Sequence, residues 1–100
     1  MASKRHPSIE PSHPGELLGE IVIPATKRSK SEIARLLGIS RQTLHDILAK
    51  RQPVTPAVAL RLGKLFGEGP ELWLRMQMEY DIWHVSLKMD LSGIPTIRAA

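Results

Sequence analysis

Apolar residues recur at helical spacing in five stretches of the chain, and no stretch alternates apolar and polar positions as a strand does. The first stretch begins at residues 13–16, where Pro14 suits the first helical position and Glu16 the first turn. Its apolar face is predicted to consist of Leu17, Leu18, Ile21 and Val22. We expect this helix to end at Pro24, because proline lacks an N–H group and its ring clashes with the preceding turn.

Two short helices joined by a tight turn are predicted next. Ser29 and Glu32 have the spacing of a capping box, in which each side chain satisfies a backbone donor of the other. Gly38 can take the left-handed conformation that closes the first of these helices, and Ser40 can cap the second. The side chains predicted to point inward are those of Ile33, Leu36, Leu37, Leu44, Ile47 and Leu48.

The fourth and fifth helices have clear starting signals. Thr55 is predicted to be the N-cap of the fourth helix and Pro56 its first residue, and Gly67 is predicted to end it. A fifth helix is expected from about Pro70 to His84. The apolar residues of these two helices are Ala59, Leu62, Leu65 and Phe66 in the fourth, and Leu72, Trp73, Met76, Tyr80 and Trp83 in the fifth.

The pattern therefore predicts an all-α fold with one domain over residues 13–85. A chain of 100 residues is long enough for a single core. Residues 1–12 contain prolines and no apolar periodicity, so a flexible arm is expected there. In residues 86–100, Gly93 and Pro95 interrupt any long helix, which leaves either a loose tail or a short extra element.

The stretch from Lys30 to Ala49 has the spacing of a helix-turn-helix. Its fifth residue is the small Ala34, which allows close helix crossing, and its ninth is Gly38, which makes the turn. Apolar residues then hold the second helix at a fixed angle and leave its other face free to enter the major groove of DNA. The alternative is a plain helical hairpin whose polar face simply meets water.

The free face of that second helix carries hydrogen-bonding side chains. Arg41 can contact guanine and Gln42 adenine, each through two hydrogen bonds, and Thr43 can contact a thymine methyl group or a phosphate. His45 and Asp46 are two further candidates for facing DNA; because a carboxylate repels phosphates, Asp46 either orients Arg41 or Lys50 or accepts from a cytosine amino group. The residues expected to contact phosphates are Lys30, Ser40, Lys50 and Arg51.

Charge is unevenly distributed along the chain. Residues 27–64 contain nine basic and two acidic residues, whereas residues 65–100 contain three basic and five acidic ones. A basic surface suits a phosphate backbone, although such a run is often only a solvated face. All four aromatic residues lie in the acidic part, which argues against a protein that stacks single-stranded bases. Trp73, Met76, Tyr80 and Trp83 belong either to the core or to a two-fold dimer contact, and a dimer would read a palindromic site.

Several kinds of chemistry are excluded by the residues themselves. The chain has no cysteine, and its histidines at 6, 13, 45 and 84 lack helical spacing, so no metal site is expected. Ser40, His45 and Asp46 cannot align as a catalytic triad, because adjacent residues of a helix point about 100° apart. We therefore expect neither an enzyme nor a cofactor. Without a secretory signal or a membrane-spanning run, a cytoplasmic location and no membrane contact are expected.

Residues 29–51 resemble the helix-turn-helix of the Cro/phage-repressor (XRE) superfamily, whose fold is that of the five-helix lambda-repressor-like DNA-binding domain. Over residues 13–84 the chain resembles the HigA/VapI-type antitoxins of that superfamily. The resemblance is carried by His-Pro-Gly-Glu at 13–16, Thr-Pro at 55–56, Ala-Leu-Arg-Leu at 59–62, Phe-Gly at 66–67, Trp-Leu at 73–74 and Tyr-Asp-Ile-Trp at 80–83. It departs at Lys27 and Arg28, where the family usually has glycine and an apolar residue, and this is expected to remove a hydrophobic staple to Ile33.

The resemblance implies a dimeric antitoxin that represses its own operon and neutralises a RelE-like, ribosome-dependent mRNA-cleaving toxin of the HigB type. Its partners would be a palindromic operator in double-stranded DNA and the toxin protein. Two other hypotheses remain: a stand-alone XRE-family repressor without a toxin, and a protein-interaction module that has lost DNA binding. An adjacent reading frame of basic composition would favour the antitoxin over the stand-alone repressor.

Overall fold

Five helices form the regular structure of residues 9–98, the part of the chain that the computed structural model describes, and this range contains no strand. Helix α1 consists of three consecutive segments, Pro14–Leu17, Leu18–Val22 and Ile23–Thr26. It is followed by α2 (Lys30–Leu37), α3 (Arg41–Leu48), α4 (Pro56–Phe66) and α5 (Glu71–Ser86). The predicted all-α, five-helix fold is confirmed.

The segments predicted to flank the domain are only partly described. Most of the arm predicted over residues 1–12, namely residues 1–8, lies outside the described residues, as do residues 99 and 100 of the tail. Residues 9–12 precede α1 without helical structure, and residues 87–98 follow α5 as turns and irregular backbone. None of the described helices is long and apolar enough to cross a membrane.

Helix α1 continues past Pro24, so the prediction that it ends there is wrong. Residues 18–22 form a π-turn, in which the N–H of Ile23 donates to the carbonyl oxygen of Leu18, five residues earlier. Because this wider turn displaces the preceding carbonyl groups, the proline ring fits into the helix without the clash that an α-turn would impose. The helix ends instead where Lys27 takes a left-handed conformation, with φ of 58°.

The π-turn also rotates the apolar face of α1. Leu18 and Ile23, five residues apart, are both buried, whereas Ile21, which was predicted to point inward, is 62% exposed. Leu17 and Val22 are only partly buried. A π-turn has more residues per turn than an α-helix, so the inward positions after it are shifted by about one residue.

Helices α2, α3 and α4 begin at the predicted caps, and α2 and α4 end at the predicted glycines. Ser29 Oγ accepts from the N–H of Glu32 at 3.1 Å, Ser40 Oγ from that of Thr43 at 2.9 Å, and Thr55 Oγ1 from that of Val58 at 3.3 Å. Gly38 and Gly67 close α2 and α4 with φ of 75° and 83°. These positions could be predicted from the sequence because each cap is a local interaction between residues three or four apart.

The core is formed by apolar residues from all five helices and from the loop before α4. Leu36 was predicted to point inward but is 42% exposed, and Leu48, Leu65 and Phe66 are only partly buried. The buried apolar residues are Leu18, Ile23, Ile33, Ala34, Leu37, Leu44, Ile47, Val54, Val58, Ala59, Leu62 and Trp73.

Two buried polar side chains complete the core. His13 caps α1, because its Nδ1 accepts from the N–H of Gly15 at 2.9 Å, and its ring meets that of Tyr80 edge-on at 4.9 Å. Burial lowers the pKa of His13 below its ordinary value, which keeps Nδ1 unprotonated and able to accept. Gln77 accepts from the N–H of Val54 at 2.8 Å and so joins α5 to the loop before α4.

Helix α1 lies directly against the end of α3. A Cβ atom on Gly15 would stand 2.0 Å from the carbonyl oxygen of Ile47, closer than any two such atoms can approach. The two backbones therefore touch, and only glycine allows this distance. Since α3 is packed against α1 in this way, its orientation depends on residues far from it in the sequence.

Candidate nucleic-acid interface

Helix α3 is buried on one side and open on the other. Leu44 and Ile47 point into the core, and both are almost completely buried. Arg41, Gln42 and His45 are exposed on the remaining surface of the helix. An exposed helix held by its opposite face is the arrangement that allows side chains to reach base edges in a major groove.

Thr43, the third predicted base-reading residue, is half-buried and already hydrogen-bonded. Its hydroxyl oxygen accepts from the hydroxyl of Ser40 at 2.8 Å, while its N–H donates to Ser40 Oγ at 2.9 Å. Ser40 itself is exposed at the N-terminus of α3. Thr43 therefore lies where its methyl group and hydroxyl are less accessible than the side chains of Arg41 and Gln42.

Asp46 lies at the centre of a small hydrogen-bonded network. Its Oδ1 accepts from Gln42 Nε2 at 2.9 Å and from Arg51 at 2.8 Å (Nη2) and 3.3 Å (Nε). Asp46 thus contacts Gln42 and Arg51, and not Arg41 or Lys50, the two residues that it was predicted to orient. The hydrogen bond from Arg51 lowers the pKa of Asp46, so the carboxyl group is ionised at neutral pH.

Lys50 is held beside the first helix. It has a left-handed backbone with φ of 65°, and its Nζ donates to Glu16 Oε1 at 3.2 Å. That hydrogen bond raises the pKa of Lys50, so the group remains a cation. Both partners are substantially exposed, so solvent screens the pair and its contribution to stability is small.

A cleft of about 190 Å³ separates the start of α2 from α3. Lys30 is the first residue of α2, and it lines this cleft together with Arg41 and His45. Leu44 and Leu48 form the apolar part of its lining. Two cations beside a helix N-terminus give this cleft the chemistry of a phosphate contact.

The start of α2 differs in part from the predicted capping box. Ser29 caps the helix as expected, but the carboxylate of Glu32 pairs with Arg28, one turn earlier, and lies 3.9 Å from Arg35. Arg28 therefore makes an ion pair with Glu32, in place of the apolar contact with Ile33 that a hydrophobic staple would provide. The pair is exposed and adds little stability, in keeping with ordinary surface ion pairs.

Arg61 has a structural role that the sequence did not predict. This residue of α4 donates from Nη1 to the carbonyl oxygen of Leu37 at 2.8 Å, which satisfies an unpaired carbonyl at the end of α2. The guanidinium lies directly under the turn, because a Cβ on Gly38 would be 2.6 Å from Nη1. Nothing local in the sequence signals this contact, since the two residues are 24 positions apart.

The four residues of the aromatic stripe occupy different environments. Trp73 is 3% exposed and belongs to the core, so it is not available to another chain. Met76, Tyr80 and Trp83 are half-buried, and Tyr80 contacts the rings of His13 and His84. Four exposed apolar side chains lie farther along α5 and in the residues after it, where Ile82, Val85, Met89 and Leu91 line one groove of about 350 Å³. These four residues are referred to below as the α5 apolar surface.

Several residues considered for metal binding or catalysis have other partners in the structure. Within residues 9–98 no three potential metal ligands come together, and His84 is paired with Glu10. Ser40 bonds to Thr43, and Asp46 bonds to Gln42 and Arg51. His6 lies outside the described residues.

The helix-turn-helix arrangement agrees with comparisons to known proteins. A family model described as "Helix-turn-helix" matches residues 25–74, half of the chain. The chain belongs to the helix-turn-helix family. This helix-turn-helix protein is 34% identical over 70 residues to virulence-associated protein I of Dichelobacter nodosus, covering 70% of this chain and 65% of that protein.

Two solved structures share the fold across most of its length. One is an addiction module antidote protein of the HigA family from Coxiella burnetii, with 35% identity, a TM-score of 0.80, and coverage of 90% of this chain and 100% of that one. The other is the Pseudomonas aeruginosa antitoxin HigA with the higBA promoter, with 29% identity, a TM-score of 0.75, and coverage of 79% of this chain and 86% of that one. The resemblance inferred from the sequence is confirmed.

Proposed function

We propose that this helix-turn-helix protein is a non-enzymatic, cytoplasmic antitoxin that binds operator DNA, represses its own operon and neutralises a RelE-like mRNA-cleaving toxin of the HigB type. The observation that carries the DNA-binding part is the exposure of Arg41 and Gln42 on a helix whose other face is buried in the core. The antitoxin part is supported by similarity to the HigA-family proteins.

The geometry supports two kinds of DNA contact, one to base edges and one to phosphates. Helix α3 enters the major groove, where Arg41 donates to guanine O6 and N7 and Gln42 bonds to adenine N6 and N7. Thr43 and His45 border these two readers. Around them, Lys30, Ser40, Lys50 and Arg51 contact phosphates and fix the position of the helix. Base contacts then specify the site, and phosphate contacts hold the protein on it.

A symmetric dimer extends this reading to a palindrome. One recognition helix reads only a few base pairs, and two related by a two-fold axis read half-sites about one helical turn apart. The α5 apolar surface supports such a dimer, because exposed apolar patches of this kind mark contacts with other chains. Its side chains lie on α5 and the residues that follow, whereas the proposed DNA contacts lie on α2, on α3 and on the residues just before and after α3.

A charge placed on the α5 apolar surface is expected to prevent dimer formation. In Val85→Asp the new carboxylate would be buried without a partner in the dimer, and this is unfavourable. We expect sedimentation equilibrium to give the mass of a dimer for the wild type and of a monomer for this variant at micromolar concentrations. Leu60→Asp, at an exposed apolar residue of α4, is the control and should remain dimeric. A dimeric Val85→Asp protein would exclude this surface as the interface.

The toxin partnership is tested by growth. The small reading frame next to this gene is expressed alone and together with this chain, and growth is followed after induction. We expect the neighbour to arrest growth and this chain to restore it, also when Arg41 and Gln42 are both replaced by alanine. If the neighbour is harmless or is not neutralised, the antitoxin part of the proposal fails, and a stand-alone repressor remains.

A further inference from the structure

Asp46 is an unexpected residue for a surface that faces phosphates, and its contacts give it a specific role. It lies one helical turn after Gln42 on α3, and its Oδ1 accepts a hydrogen bond from Gln42 Nε2 at 2.9 Å. Arg51, just beyond the end of α3, donates to the same oxygen from two nitrogens. The carboxylate thus has a base-reading candidate on one side and a cation on the other.

The carboxylate fixes the orientation of the Gln42 side-chain amide. An ionised carboxylate can only accept hydrogen bonds, so the NH₂ group of Gln42 must face it and the carbonyl oxygen must face away. A glutamine without such a partner can turn its amide over, exchanging nitrogen and oxygen. With one of its two N–H groups engaged, Gln42 offers the DNA one donor and one acceptor.

One donor and one acceptor match adenine and not guanine. In the major groove adenine presents the N7 acceptor next to the N6 donor, whereas guanine presents two acceptors, N7 and O6. A free glutamine amide can direct both of its N–H groups toward guanine. An amide held by Asp46 has only one left, and its carbonyl oxygen repels guanine O6.

Arg51 makes this arrangement compatible with DNA. Its guanidinium balances the charge of the carboxylate and keeps that group ionised, because the hydrogen bond from Arg51 lowers the pKa of Asp46. The repulsion between Asp46 and nearby phosphates is reduced accordingly. Arg51 retains further N–H groups with which it can contact a phosphate while still bonded to Asp46.

We propose that Asp46 is a positioning residue that sets base specificity: by holding one N–H of Gln42, it makes this side chain select adenine over guanine. The inference rests on the proposed DNA-binding function and assigns to Asp46 the base preference of α3 at the position that Gln42 contacts. It predicts that the effect of Asp46 is confined to one base position in each half-site and disappears when Gln42 is absent.

The test is a selection from duplexes randomised over two half-sites spaced about one helical turn apart. Gln42→Ala identifies the base position that Gln42 reads, because preference is lost there. At that position we expect Asp46→Ala to lower the preference for adenine over guanine about tenfold, with other positions unchanged. Asp46→Asn can either accept from the Gln42 amide or donate to its carbonyl oxygen, so its preference should fall between those of the wild type and Asp46→Ala.

Two matched variants separate this role from a general effect on binding. Arg51→Ala removes the other partner of the carboxylate and should weaken binding to all sequences while adenine is still preferred. In the Gln42→Ala background, Asp46→Ala should cause no further change in base preference. The inference is overturned if Asp46→Ala alters affinity alone, or alters all positions alike. A wild-type protein that enriches no sequence would overturn the proposed DNA binding as well, which distinguishes the two failures.

Discussion

Gly15→Ala is expected to lower the free energy of unfolding by about 3 kcal/mol, the upper part of the range for overpacking a close contact. The added methyl group would lie 2.0 Å from the carbonyl oxygen of Ile47. No side-chain rotation can relieve this clash, because the backbone fixes the positions of both atoms. Helices α1 and α3 must then move apart. Urea denaturation followed by circular dichroism measures the loss.

Gly19→Ala is the matched control, because it lies one turn later in the same helix. Its new Cβ would meet only the end of the Leu48 side chain, at 3.3 Å, which can adjust by a small rotation. Replacing glycine within a helix also favours folding by restricting the unfolded chain. We expect Gly19→Ala to remain within about 1 kcal/mol of the wild type. If both variants had the same stability, the close approach of α1 to α3 would not be a constraint on the fold.

Arg41→Ala and Gln42→Ala are each expected to weaken binding to the operator by about 1–3 kcal/mol, the usual value of a two-hydrogen-bond base contact. Both side chains are exposed, so the stability of the protein should change little. The measurement is a fluorescence anisotropy titration with the duplex upstream of the protein's own reading frame, at one fixed salt concentration, because affinity for DNA depends strongly on salt.

The controls for this prediction distinguish base reading from simple charge loss. Arg75→Ala removes an exposed cation from α5, on another helix, and should leave operator binding nearly unchanged. A duplex of unrelated sequence should bind wild type and Gln42→Ala equally well, since the lost contact is specific to a base. Operator binding by Gln42→Ala that equals the wild type would remove this residue from the base-reading set.

The parts of the fold that sequence predicts well are those that depend on neighbours along the chain. Ser40 and Thr55 cap their helices through bonds to residues three positions away, and Gly38 closes α2 by its own backbone conformation. The apolar positions of α3 followed directly from helical periodicity. For this reason the helix-turn-helix and the exposure of Arg41 and Gln42 could be predicted from the order of residues alone.

The features that sequence did not predict depend on contacts between distant residues or on a change of helical period. The π-turn before Pro24 has no distinctive sequence, and it shifts the inward positions so that Ile21 is exposed and Ile23 buried. Gln77 is a polar residue within the apolar stripe of α5, and its burial is explained only by the hydrogen bond that it accepts from the N–H of Val54, 23 residues away. Asp46 was expected to orient Arg41 or Lys50, but it bonds to Gln42 one turn earlier, and Arg51 reaches the carboxylate only because the chain turns back after α3.

The central claim, that two α3 helices of a dimer read operator DNA, is tested most directly by hydroxyl-radical footprinting on the DNA upstream of the protein's own reading frame. We predict two protected half-sites related by a palindrome, with centres about one helical turn apart, and their loss when Arg41 and Gln42 are both replaced by alanine. No protection at low salt, or an identical footprint from the doubly substituted protein, would contradict the claim.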